Sequence, residues 1–154
     1  MLSDKDSARF KTLFPEFAKR LPPQGLDKLL KNCTSSDFKA GRNIVRDKMP
    51  TDAVYFVLSG KATIFIEEDD KTVALGTINP GQLLGEVSIL SRQMTASSTV
   101  QAVSDVTALK LKHQPLESLL TAEDTGPVLL ELLSETLAAR LRATRQITEP
   151  DPSL

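Results

Sequence analysis

The period of the hydrophobic pattern changes twice along the chain, and this constrains the fold more than any other feature. In the opening DKDSARFKTLFPEFAKRL, residues Phe10, Leu13, Phe14, Phe17 and Leu21 recur at helical spacing, as one buried helix face requires. Pro15 offsets that segment, because proline lacks an amide hydrogen and crowds the preceding turn. Pro22–Pro23 ends it, and QGLDKLLKNC reads as a second short helix burying Leu26, Leu29, Leu30 and Cys33. From about Phe38 to Lys112 the period becomes two. AVYFVLS is an apolar strand, and in KATIFIEE residues Ala62, Ile64 and Ile66 alternate with Thr63, Phe65 and Glu67, so the two sets face opposite sides. Asp69–Asp70 marks a hairpin into KTVALGTI, and Asn79–Pro80–Gly81 marks another turn. SSTVQAV and VTALKLK add two strands. The helical period returns in LESLL after Pro115. It continues in VLLELLSETLAARLRATRQ, whose start Thr125–Gly126–Pro127 carries proline in the first turn.

Many short strands between helical ends predict a mainly β protein with flanking helices. The expected form is an antiparallel, jelly-roll-like β-roll with N-terminal helices and a long C-terminal helix. The expected organisation is one domain. Residues 1–35 form a helical element, 36–112 the roll, 113–146 the C-terminal helices and 147–154 a disordered tail.

Composition excludes more than it asserts. Nineteen basic and twenty acidic residues nearly cancel, as counts of 19 and 20 show, so global charge does not point to nucleic acid. Cys33 is the lone cysteine and cannot form an intrachain disulfide, which fits a reducing, cytoplasmic setting; it reads as a small buried hydrophobe at a helix end. The polar start MLSDKDSARF is unlike a signal peptide, and no apolar run is long enough for a membrane span. His113 is the lone histidine, too few for a histidine-rich metal centre, and it reads as a surface or capping residue. No metal, catalytic residue or cofactor is expected, and the chain reads as a non-enzyme.

The segment LGEVSILSRQMTASSTV at 84–100 carries the chemical signal. Gly85–Glu86 opens one apolar helical turn, Val87 and Ser88 follow, and small hydroxyl residues lead into the next strand. A free helix start with a carboxylate and clustered hydroxyls suits a small polar ligand.

FKAGRNIV, AVYFVLSGKATIF, LGTINPGQLLGEVSIL and STVQAVSDVTALKL together resemble the cyclic nucleotide-binding domain, with glycines at 41, 60, 81 and 85. The resemblance covers about residues 10–145 and implies the same β-roll. It implies that Glu86 meets a ribose 2′-hydroxyl, that Gly85 admits close approach, and that amides from Val87 and Ser88 face a cyclic phosphate. Ser97 is the nearest match to the family's small polar contact, with Ser98 beside it. The family also carries an arginine for the phosphate; counting from Glu86, that place falls on Thr95 or Ala96, neither charged. Arg92, earlier in the loop, is either a replacement that swings in or a solvated charge.

Cyclic AMP or cyclic GMP is therefore the implied ligand class, with weak cyclic AMP binding. The chain reads as a sensor signalling to an unidentified effector protein, or alternatively as a ligand-free interaction module that keeps the roll. Leu130, Leu133, Leu137 and Leu141 lie at helix-seam spacing, so a homodimer through the last helix is expected. The short stretch after that helix leads to no expectation of direct DNA binding, and no membrane partner is expected.

Overall fold

The computed structural model describes residues 2–148, with side chains through Arg142. Helix α1 (Asp4–Leu13) starts at Ser3, whose hydroxyl accepts the Asp6 amide at 3.1 Å, a usual N-cap arrangement. The chain breaks at Phe14 and resumes as α2 (Pro15–Arg20), with proline where no intrahelical amide bond is lost. Helix α3 (Pro23–Lys31) follows.

The strands are β1 (Cys33–Phe38), β2 (Asn43–Val45), β3 (Ala53–Ser59), β4 (Ala62–Glu68), β5 (Lys71–Ile78), β6 (Leu83–Leu84), β7 (Thr99–Ala102) and β8 (Val106–Lys112). They form two four-stranded antiparallel sheets in the orders β1-β8-β3-β6 and β2-β7-β4-β5. This is the expected β-roll with flanking helices. Helix α4 (Glu86–Leu90) interrupts it, and α5 (His113–Thr121) and α6 (Gly126–Thr148) close the chain.

The run AVYFVLS is apolar throughout because β3 is buried on both faces. Val54, Phe56 and Leu58 pack with Phe10, Phe14, Phe17, Leu129 and Leu133 under the helices. Ala53, Tyr55 and Val57 face Ile64, Ile78, Val100 and Ala102 inside the roll. Phe56 anchors the helical side, meeting Phe10, Phe14 and Phe17 edge-on with ring centroids 5.3, 5.2 and 5.5 Å away, a favoured aromatic geometry. The Asp69–Asp70 hairpin forms with both residues at positive φ, 51° and 64°, as a primed turn requires.

Helix α6 is tied at its near end. Arg20 of α2 reaches Glu131 at 3.0 Å and Glu135 at 2.8 Å, and the Gln24 amide donates to Asp124 at 2.5 Å.

Three expectations change. The first strand begins at Cys33, ahead of the boundary placed at 36; Cys33 pairs opposite Leu111 and is not a helix end. Its burial pushes the thiol up to about 12. The expected helix seam divides, because Leu133 is 1% exposed in the core whereas Leu130 and Leu141 are 48% and 61% exposed. The helix also runs on through Thr148, so it includes part of the tail expected at 147–154; the remainder lies outside the described residues.

Candidate functional site

The roll encloses a cavity of about 430 Å³, within the range of small-molecule sites. Its walls are mainly aliphatic, from Val45, Ile64, Leu75, Leu84, Val87 and Val100. The alternation of β4 and β7 supplies Ile64 and Val100, which sit directly opposite in register. Polar contributions come from Thr51, Ser88, Ser97, Ser98 and Arg140, and α6 adds Leu137 and Leu141.

Gly85 sets the geometry at the start of α4. Its φ is +95°, and a Cβ there would stand 2.5 Å from the Ala53 carbonyl oxygen. Both the left-handed backbone and the close pass against β3 select glycine. The turn that follows leaves the first amides of α4 without intrahelical acceptors.

Glu86 is fully buried, and it does not line the cavity. Its carboxylate faces Arg140 of α6, with Nη1 2.7 Å from Oε1. Arg140 also donates through Nη2 to the Leu83 carbonyl, and it is the residue of this pair that lines the cavity. Neither carboxylate oxygen of Glu86 has a partner with hydrogen-bond geometry among the described residues, so Arg140 holds it as an ion pair. Burial pushes the Glu86 pKa up, against the lowering charge of Arg140; an anion without water is costly even when paired.

The other expected site residues separate into two groups. Gly85, Val87, Ser88, Ala96, Ser97 and Ser98 all border the cavity. Of these, Ser88 has its hydroxyl committed, donating to the Thr95 carbonyl at 2.6 Å. Ala96, one of the two positions with Thr95 where the family resemblance implies an arginine, is 6% exposed and is held by backbone bonds with Met49 and Lys48, each 2.9 Å. Arg92 does not swing in. It follows the end of α4 at φ 62° and borders a different hollow with Leu90, Met94, His113 and Glu117. Of the two readings of Arg92, this exposed position outside the cavity fits the solvated loop charge.

Arg140 is the residue that sequence reasoning missed. Its sign suits the end of a helix, and that explanation conceals its second property, a charged position continuing the stripe of Leu133 and Leu137.

The family model described as the cyclic nucleotide-binding domain matches residues 36–123. The chain belongs to that family. Within it, the chain is 30% identical over 123 residues to a CRP-like cAMP-activated global transcriptional regulator of Mycobacterium tuberculosis, covering 79% of this chain and 53% of that protein. Among solved structures it resembles the catabolite activator protein of Thermus thermophilus, with TM-score 0.70 and 29% identity over 83% of this chain and 58% of that one. A cyclic nucleotide-binding domain from Methylobacillus flagellatus matches the fold with TM-score 0.80 at 17% identity, covering 92% of this chain and 83% of that one. The chain spans about half the length of the curated relatives it matches. No helix among the described residues is long and apolar enough to cross a membrane.

Proposed function

We propose that this cyclic nucleotide-binding domain acts as a regulatory, non-catalytic sensor whose ligand occupies the cavity and repositions α6. One observation carries the reading: Arg140, Leu137 and Leu141 of α6 border the cavity, and Arg140 holds the buried Glu86. A ligand entering there must contact or displace the helix, so occupancy and helix position are coupled. The CRP-like relative is described as cAMP-activated, which supports a cyclic nucleotide as the ligand class. Cyclic AMP itself binds weakly here, because Ala96 leaves the phosphate without its charge-assisted partner, worth about 1.5–3 kcal/mol.

The signal passes to a partner protein through α6, whose exposed Leu130 and Leu141 offer apolar surface for a homodimer. The second reading, a ligand-free interaction module, is favoured by the same Arg140, which already occupies Glu86. Two measurements test between them. Native mass spectrometry of gently purified protein shows added mass for a retained ligand. Calorimetry with cyclic AMP and cyclic GMP is expected to give weak binding that tightens in Ala96→Arg. No binding by either protein would replace the sensor with the interaction module.

A further inference from the structure

The charges of the cavity cancel before any ligand arrives. Arg140 is the one cationic residue among the described residues that line it. Its guanidinium is engaged twice, on Glu86 Oε1 and on the Leu83 carbonyl. An entering anion has two options, and both are unfavourable. It can draw Arg140 away, which leaves a fully buried carboxylate without its counter-charge. It can instead use the remaining N–H groups of an arginine whose positive charge Glu86 already offsets. Ala96 supplies no alternative cation.

The same features suit a neutral ligand. Aliphatic side chains from β4, β7 and α6 offer flat apolar contact. Thr51, Ser97 and Ser98 bring hydroxyls to the cavity wall. These hydroxyls can donate and accept, so they pair with ligand hydroxyls without requiring a charge on the ligand.

We propose that the cavity recognises an uncharged, hydroxyl-bearing ring compound of nucleoside size in preference to an anion, with the Glu86–Arg140 pair acting as its charge filter. This rests on the reading of the cavity as a ligand site, and it reverses the order of affinities expected of a pocket that grips a cyclic phosphate. It also gives Glu86 a second role. By holding Arg140, the carboxylate suppresses anion binding.

Calorimetry of the purified full chain with adenosine and with cyclic AMP tests this, since the two share base and ribose and differ in the charged phosphate. Wild type is expected to bind adenosine at least as tightly as cyclic AMP. In Glu86→Gln, Arg140 keeps its charge and loses its carboxylate, so the ratio should move toward cyclic AMP on the order of ten- to a hundredfold, the contribution of one charge-assisted contact. Tighter binding of cyclic AMP than of adenosine by wild type overturns the charge filter and leaves the sensor reading standing. Binding of neither at millimolar concentration overturns both. An unchanged ratio in a folded Glu86→Gln variant removes the role given to the pair, and the wild-type ratio decides the ligand class even if that variant fails to fold.

Discussion

Replacing Arg140 by methionine isolates the charge at the centre of the site. The substitution keeps an apolar stem against Leu137 and removes the guanidinium that lies 2.7 Å from Glu86. Glu86 is 0% exposed and Arg140 is 24% exposed, so the pair is screened far less than a surface ion pair. Breaking a buried pair by removing one partner costs about 3–5 kcal/mol. For a domain of this size that corresponds to a fall in Tm of about 6–20 °C at 2–4 °C per kcal/mol. The pH dependence has a definite sign. Burial raises the folded-state pKa of Glu86, so the folded form holds its proton where the unfolded chain has released it. The stability this contributes is fully present below the unfolded value, about 4.3, and is lost as pH rises through the folded value. Arg140 opposes the rise in wild type. Without it the folded value climbs further, so the variant's deficit grows as pH rises above the unfolded value and is larger at pH 8 than at pH 5. Urea unfolding of both proteins at the two pH values measures this, the difference between them cancelling titrations they share. Adding Glu86→Gln should recover most of the loss, because no orphaned charge then remains. A deficit below about 1 kcal/mol, or one identical at both pH values, would refute a buried carboxylate that depends on Arg140.

Three further outcomes follow from other parts of the molecule. Gly85→Ala should destabilise by about 1–3 kcal/mol in denaturant unfolding, since the new Cβ meets the Ala53 carbonyl at 2.5 Å with φ at +95°; an unchanged midpoint would mean that this backbone relaxes freely. Cys33, with its thiol raised to about 12 by burial, should resist thiol reagents in the native protein and react at once in denaturant; rapid native labelling would show that β1 opens readily. Light scattering should give twice the chain mass of 16.8 kDa, and Leu130→Glu with Leu141→Glu should return the monomer; a monomeric wild type at micromolar concentration would leave those two leucines as plain surface.

The roll was legible because its two periods are local properties. Ala62, Ile64 and Ile66 alternate with polar or half-exposed neighbours on β4, and the residues at the Asp69–Asp70 turn adopt the conformations that their types suggest. The double burial of β3 was equally visible in AVYFVLS. A strand with helices on one face and a second sheet on the other has no side left for polar residues. The end of α3 was harder to place, because Cys33 continues the apolar face of the helix while its backbone already pairs with Leu111. Propensity cannot decide such a boundary, since the strand partner lies far along the chain.

The site divides along the same line between local and distant causes. Gly85, Ala96, Ser97 and Ser98 reach the cavity through short turns whose residue types announce them, so their neighbourhood could be read directly. Arg92 could not be placed from spacing alone; the positive φ of 62° that turns it outward depends on how the loop is held against the 48–51 segment. Arg140 is the instructive case. It follows Leu137 by one helical turn on the stripe that begins at Leu133, and a cation on an apolar stripe needs a buried partner or it must leave the stripe. The helix-end explanation accounts for its sign and says nothing about its face. Glu86 presents the complementary anomaly, a carboxylate beside Val87 and Ile89 in a mainly apolar helical turn. Each residue alone has an ordinary local explanation. Taken together, two opposite charges on two apolar surfaces are a stronger signal than either, because burying one without the other would cost several kcal/mol. The fold brings them within 2.7 Å, and in doing so it ties α4 to α6, the helix whose Leu137, Arg140 and Leu141 border the cavity.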